Sequence, residues 1–196
     1  SPTPQERSFL ATGFKLTRKG ITAQLEPGER SLLRGLFADI ITMLEPRTPA
    51  SEDPLAAMVG LDTSAEAPED PALLRLLPNA VAENDADALE FRRLTERSLR
   101  EVKTGSLRAA SLALESSPLH LDNEQARHFA QALNDVRLVL GSRLGLKTDA
   151  DAEALHDITE PGDAQDVDQY LALVYNFVTW LQETLMKALL DGLPRR

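Results

Sequence analysis

The stretch ALNDVRLVLG, residues 132–141, sets Asn134, Asp135 and Arg137 into an otherwise apolar run. An amide, a carboxylate and a guanidinium could line a polar pocket of a small-ligand-binding protein or an enzyme, or they could pin one helix to its neighbours. At helical pitch Asp135 and Arg137 stand about 200° apart around the axis and cannot pair with one another. Asn134 and Arg137, three residues apart, share a side. Each polar group therefore needs a partner on another element, because a buried one left without a hydrogen bond costs roughly 1–3 kcal/mol. The first expectation is that the three are structural polar residues. The pocket reading, kept as the alternative, requires them to converge with side chains of the last helix such as Gln182 or Glu183.

Other chemistry has little to build on. The chain has no G-x-S-x-G, no Walker loop, no G-x-G-x-x-G and no H-E-x-x-H. His120, His128 and His156 lack a second ligand at metal-site spacing and read as surface or structural histidines. DADAEALHDITE, residues 149–160, mimics a calcium loop with Asp149, Asp151, Glu153, Asp157 and Glu160 at ligand positions. Ala154 stands where the loop needs glycine for its sharp turn, and His156 where it needs an apolar residue, so the start of this stretch reads instead as a helical turn capped by Thr148 or Asp149. No catalytic residue, metal or cofactor is expected. The 196 residues contain no cysteine, which removes disulfides and thiolates together and leaves Met43, Met58, Met186 or a partner for any redox chemistry.

A formal charge of −10 opposes nucleic-acid phosphates on average and makes direct binding to DNA or RNA a minor reading. The most basic stretch includes Arg93, Arg97 and Arg100, which helical geometry places opposite Phe91, Leu94 and Val102. That is the pattern of a solvated face, with a docking stripe for an acidic partner or DNA as the second reading. Between 149 and 168 the chain has eight acidic residues and neither Lys nor Arg, a candidate dock for a basic surface.

These groups need a scaffold, and the scaffold reads as mainly α: one helical domain of about five to seven helices with a short N-terminal β-hairpin. Residues 1–12 form a tail and 13–193 the domain. GFKLTRKGITAQL alternates around a Lys19-Gly20 turn and predicts a hairpin over 13–25. Core helices are expected at about 28–45, 85–103, 105–116, 122–144 and 166–190, the second and third forming a helical hairpin broken near Gly105. Asp122 with Gln125 three residues on is close to a capping box. The region 46–84 is a Pro-rich connector in which PLAAMVG and DPALLRLL read as short helices, and 148–168 is the acidic segment. No run reaches the roughly 18 apolar residues of a membrane span, and the N-terminus lacks a secretory pattern, so a cytoplasmic location is expected. The last helix carries a wide apolar arc, with Leu173 and Trp180 broadening its main face; an arc of that breadth is core or interface, which motivates a homodimer or partner contact.

Five blocks in order, LEPGERSLLRGLFADIITMLEPR, EDPALLRLLPNAVAEND, EFRRLTERSLREVK, LDNEQARHFAQALNDVRLVLGSRLGL and VYNFVTWLQETL, resemble an actinobacterial family long catalogued as a domain of unknown function, with AosR-like members described as oxidative-stress transcriptional regulators. The likeness runs from about Ile21 to Leu190. It implies a cytoplasmic, non-enzymatic regulator that works by protein–protein contact with the transcription machinery, through a sigma factor or RNA polymerase. Oxidant sensing in that family relies on cysteine, so the resemblance carries no thiol switch to this chain.

Overall fold

The computed structural model describes residues 11–45, 70–78, 86–155 and 167–194, without the side chains of 86–92. The N-terminal tail up to Leu10, the connector apart from 70–78, and His156 with the rest of the acidic segment to Asp166 lie outside the described residues. In chain order the elements are β1 (Thr12–Thr17), β2 (Gly20–Gln24), α1 (Pro27–Leu44), α2 (Pro71–Leu76), α3 (Ala86–Ala113), β3 (Leu119–Leu121), α4 (Asn123–Arg143), α5 (Asp149–Glu153) and α6 (Val167–Asp191). The mainly helical fold with an N-terminal hairpin is therefore as expected. Among the described residues no helix is long and apolar enough to cross a membrane.

The hairpin gains a third strand: β3 pairs antiparallel with β2, giving the order β1-β2-β3. Alternation sends Phe14, Ile21, Ala23, Leu119 and Leu121 into the core. Gly20 closes the turn at φ 111°, where a Cβ would stand 2.8 Å from the Leu121 carbonyl oxygen; a side chain there would be both strained and blocked.

Helix α4 is the central element. A reciprocal Asp122–Gln125 capping box starts it, and it packs on α3, α6, α2 and α1. Its Phe129 is fully buried, with the rings of Phe14 at 5.4 Å and Phe37 at 5.9 Å meeting it edge to face. One aromatic side chain thus joins the sheet and α1 to the central helix.

The expected break near Gly105 is absent. Helix α3 runs unbroken for 28 residues, about 42 Å at 1.5 Å per residue. Lys103, Ser106, Leu107, Ala110 and Leu114 form one continuous buried stripe across the glycine, and this packing outweighs the roughly 1 kcal/mol that glycine costs in a helix. The stripe also corrects the expected apolar face: Leu94 and Val102 are 60% or more exposed.

Helices α1 and α3 run antiparallel and cap each other. Arg30, in the first turn of α1, donates to the Leu114 carbonyl at the end of α3 at 3.4 Å. Arg100 of α3 donates to the Leu44 carbonyl at the end of α1 at 2.8 Å. Each guanidinium satisfies a carbonyl that a helix end leaves open, and its charge suits the negative end of the dipole. Short α2, capped by Asp70 and started by Pro71, bears out the helix expected in DPALLRLL. Two opposed links hold it to the end of α4: Arg143 forks onto both Asp70 oxygens at 3.1 and 2.9 Å, and Arg75 donates to the Leu146 carbonyl. Arg143 holds the Asp70 carboxyl below its ordinary range, its side-chain hydrogen bond being the largest cause.

Candidate functional site

The polar triplet of α4 is divided between two neighbours. Asp135 points toward α3 and is fully buried. Its Oδ1 accepts from Lys103 Nζ at 2.6 Å and from Gln131 Nε2 at 3.1 Å. Oδ2 meets no donor among the described residues. Burial pushes the Asp135 carboxyl above its ordinary value, while the Lys103 and Gln131 bonds pull it back. A buried, charge-assisted pair of this kind locks one helix against another and is costly to break from one side.

Arg137 points toward α6. Its Nε donates to Thr179 Oγ1 at 3.1 Å, Nη1 to Gln182 Oε1 at 3.1 Å and Nη2 to the Tyr175 hydroxyl at 3.5 Å. The guanidinium also lies 5.6 Å from the Tyr175 ring centroid, within cation–π range. Asn134 is half-buried and makes no side-chain hydrogen bond to the described residues. The geometry thus denies an Asp135–Arg137 pair, as expected. Gln182 does meet Arg137, yet Asp135 faces the other way, so the convergence that the pocket reading requires does not form.

A second constellation was not visible in the sequence. Ser106 Oγ lies 3.0 Å from His128 Nδ1, and His128 Nε2 lies 3.9 Å from a Glu124 oxygen. A hydroxyl, an imidazole and a carboxylate in line have the composition of a nucleophilic triad. Two features deny that chemistry here. Ser106 is 3% exposed and sits inside α3, where neighbouring backbone N–H groups are spent on helix bonds and none can stabilise an oxyanion. The contact ties α3 to α4, one turn along from Lys103. Ser106 lies 22 residues from His128, so no local pattern announces that contact.

The arginine stripe is not a continuous free face. Arg97 pairs with Glu101 at 3.2 Å and Arg100 with Glu96 at 2.9 Å, both at i,i+4 spacing. Arg93 is exposed, whereas Arg100 turns inward to cap α1. A nucleic-acid stripe would need all three turned outward, which helical packing prevents.

On α6, Leu173 is buried at 3% exposure and Trp180 is 37% exposed, stacked 6.2 Å from Phe177. Of the expected interaction pair, Trp180 alone offers surface; Leu173 is part of the packing. The rest of the predicted main face is buried from Val174 to Leu185, although Tyr170 is half-exposed. In the acidic segment, Thr148 caps α5 and forms a reciprocal box with Asp151, so the decoy calcium stretch begins as a capped helix. Backbone N–H groups of Lys147 and Thr148 hold the Asp151 carboxyl below its ordinary range. Among the described residues no group of three His, Asp or Glu side chains could hold a metal ion.

What this arrangement does is fasten helices to one another. Residues 11–189 match the family described as a domain of unknown function, DUF2017. A Mycobacterium leprae (strain TN) relative bearing the AosR name is 31% identical over 183 residues, covering 84% of this chain and 80% of its own. A Mycobacterium bovis relative named oxidative stress regulator AosR is 33% identical over 147 residues, covering 65% of this chain and 67% of its own. The Mycobacterium tuberculosis H37Rv relative of the same name has the same identity and coverage. No solved structure matches the chain. The chain belongs to the DUF2017 family, in which it is similar to mycobacterial proteins named oxidative stress regulator AosR.

Proposed function

We propose that this chain is a non-enzymatic regulatory protein that acts by contact with the transcription machinery, a sigma factor foremost. The observation that carries this reading is the 31% identity to an AosR-named protein, spread over 84% of this chain and 80% of that relative. The helix-to-helix pins support it from the other side, because the polar side chains best suited to chemistry are spent on holding α3, α4 and α6 together. A link to oxidants would use no thiol of these 196 residues, which include no cysteine. It would run through a partner or through methionine oxidation, for which Met186 is 43% exposed.

The test is native co-purification of the tagged chain from an actinobacterial host, with and without peroxide, followed by mass spectrometry. The expected result is enrichment of a sigma factor or polymerase subunit over an unrelated acidic control protein. Recovery of abundant tagged chain with neither component overturns the proposal.

A further inference from the structure

The outer face of the sheet is free of the contacts that hold the core together. Strand pairing places Lys15 opposite Thr22 and Thr22 opposite His120, one row of side chains across all three strands. With Gln24 and a wall at Pro118 this row lines an open groove of about 330 Å³. The lining contains an ammonium, an imidazole, hydroxyls and an amide, and no carboxylate.

Charge singles out the same place. In a chain of net charge −10, residues 12–25 hold Lys15, Arg18 and Lys19 and no acidic residue. All three cations are exposed, and none forms an ion pair with a described residue. Some cations elsewhere on the described surface are paired with acids, as Arg97 is with Glu101 and Arg143 with Asp70, whereas these three are clustered within five residues on a strand pair that has no acid of its own. The cluster stands beside a groove that offers hydrogen-bond donors.

We propose that this sheet face docks an acidic, extended segment of a partner protein, its carboxylates received by Lys15, Arg18 and Lys19 and its backbone running parallel to the strands, across the Lys15–Thr22–His120 row. A protein segment fits better than nucleic acid. A duplex brings about one phosphate charge per 1.7 Å, and the rest of this acidic chain repels so dense a line, whereas a peptide brings a few spaced charges. The face is about 20 Å long at 3.3 Å per residue, room for a short extended segment. The site is independent of which partner the regulatory reading names, and it is tested with a defined probe.

The experiment is fluorescence anisotropy with the full 196-residue chain and a labelled peptide alternating glutamate with serine. A glutamine-for-glutamate peptide and a single-stranded DNA of equal charge run in parallel. The expected result is salt-sensitive binding of the glutamate peptide alone, weakened about tenfold or more in K15E/R18E/K19E, the combined effect of three exposed charge pairs. T22V/H120A, which keeps those cations, is expected to weaken binding by a smaller factor of about three. Amide shifts on peptide addition should map to β1, β2 and β3, a readout that holds even if a variant is poorly folded. Absence of binding, equal binding of the glutamine peptide, tighter binding of DNA, or shifts confined to another face each overturn the proposal.

Discussion

Replacing Lys103 by methionine removes the ammonium and keeps the length of the side chain, so Asp135 loses its counter-charge without a large cavity. The carboxylate is fully buried, the lysine side chain is 8% exposed, and the bond between them is 2.6 Å. Removing one partner of such a pair typically costs about 3–5 kcal/mol. Gln131 still donates to Oδ1 at 3.1 Å, which places the expected loss for K103M near the low end, about 3 kcal/mol. D135L, which strands the ammonium, should cost about as much. In K103M/D135L neither charge remains to be desolvated, and the double variant should lie within about 1–2 kcal/mol of the parent. Urea unfolding followed by circular dichroism at neutral pH gives the cycle, with a coupling of at least about 2 kcal/mol expected. Acidity supplies an independent check. Because burial raises the Asp135 carboxyl in the folded chain, its contribution is fully present below the ordinary carboxylate value and is lost as pH rises through the raised folded value. The stability gap between K103M and the parent should therefore narrow as pH falls, and D135N should flatten the decline on the alkaline side of that window. Single variants that each cost less than about 1 kcal/mol, or costs that simply add, would refute the reasoning.

Arg137→Met breaks three hydrogen bonds between α4 and α6 and should lower unfolding stability by about 1–3 kcal/mol; Arg137→Lys should recover less than half, since one ammonium cannot serve a hydroxyl, an amide and a phenol from one point. Two glycines should respond with opposite sign in urea titrations. Gly20→Ala should cost about 1–3 kcal/mol, because φ is 111° and the Leu121 carbonyl blocks the new Cβ, whereas Gly105→Ala, with nothing within 4 Å, should stabilise by about 0.5–1 kcal/mol. Arg143→Ala should remove an acid-side component of stability: the Asp70 carboxyl is held low by this arginine, so its contribution is present above the ordinary carboxylate value and lost as pH falls through the lowered one, and acid titration of both forms measures the difference.

Helix starts were the most legible part of the chain, because a cap is local. Asp122 with Gln125 can be found by reading a few adjacent letters and acts as expected, and the short helix expected in DPALLRLL forms, with Asp70 as its cap. The separation of Asp135 from Arg137 was legible for the same reason, since helical pitch alone decides it. Their partners were not, because Lys103 lies 32 residues from Asp135 and Thr179 lies 42 from Arg137. Strand β3 is three residues long, too short to show alternation beside a helix cap. The face of α3 was misjudged for a more instructive reason. Its buried stripe includes Lys103 and Ser106, whose polarity is satisfied by Asp135 and His128 on α4. Hydrophobicity alone therefore pointed toward Leu94 and Val102, which face outward.

The mutual arginine caps of α1 and α3 also act as a ruler. Fourteen residues separate Arg30 from Leu44, and fourteen separate Arg100 from Leu114, the two carbonyls that the opposite arginines reach. At 1.5 Å per residue both spans are about 21 Å, so the two helices are gauged against each other at both ends. Inserting or deleting one residue within either span would rotate everything beyond it by about 100° and shift it by about 1.5 Å, leaving one arginine unable to find its carbonyl. Substitution should be tolerated along much of these helices, while a change of length inside either span should not.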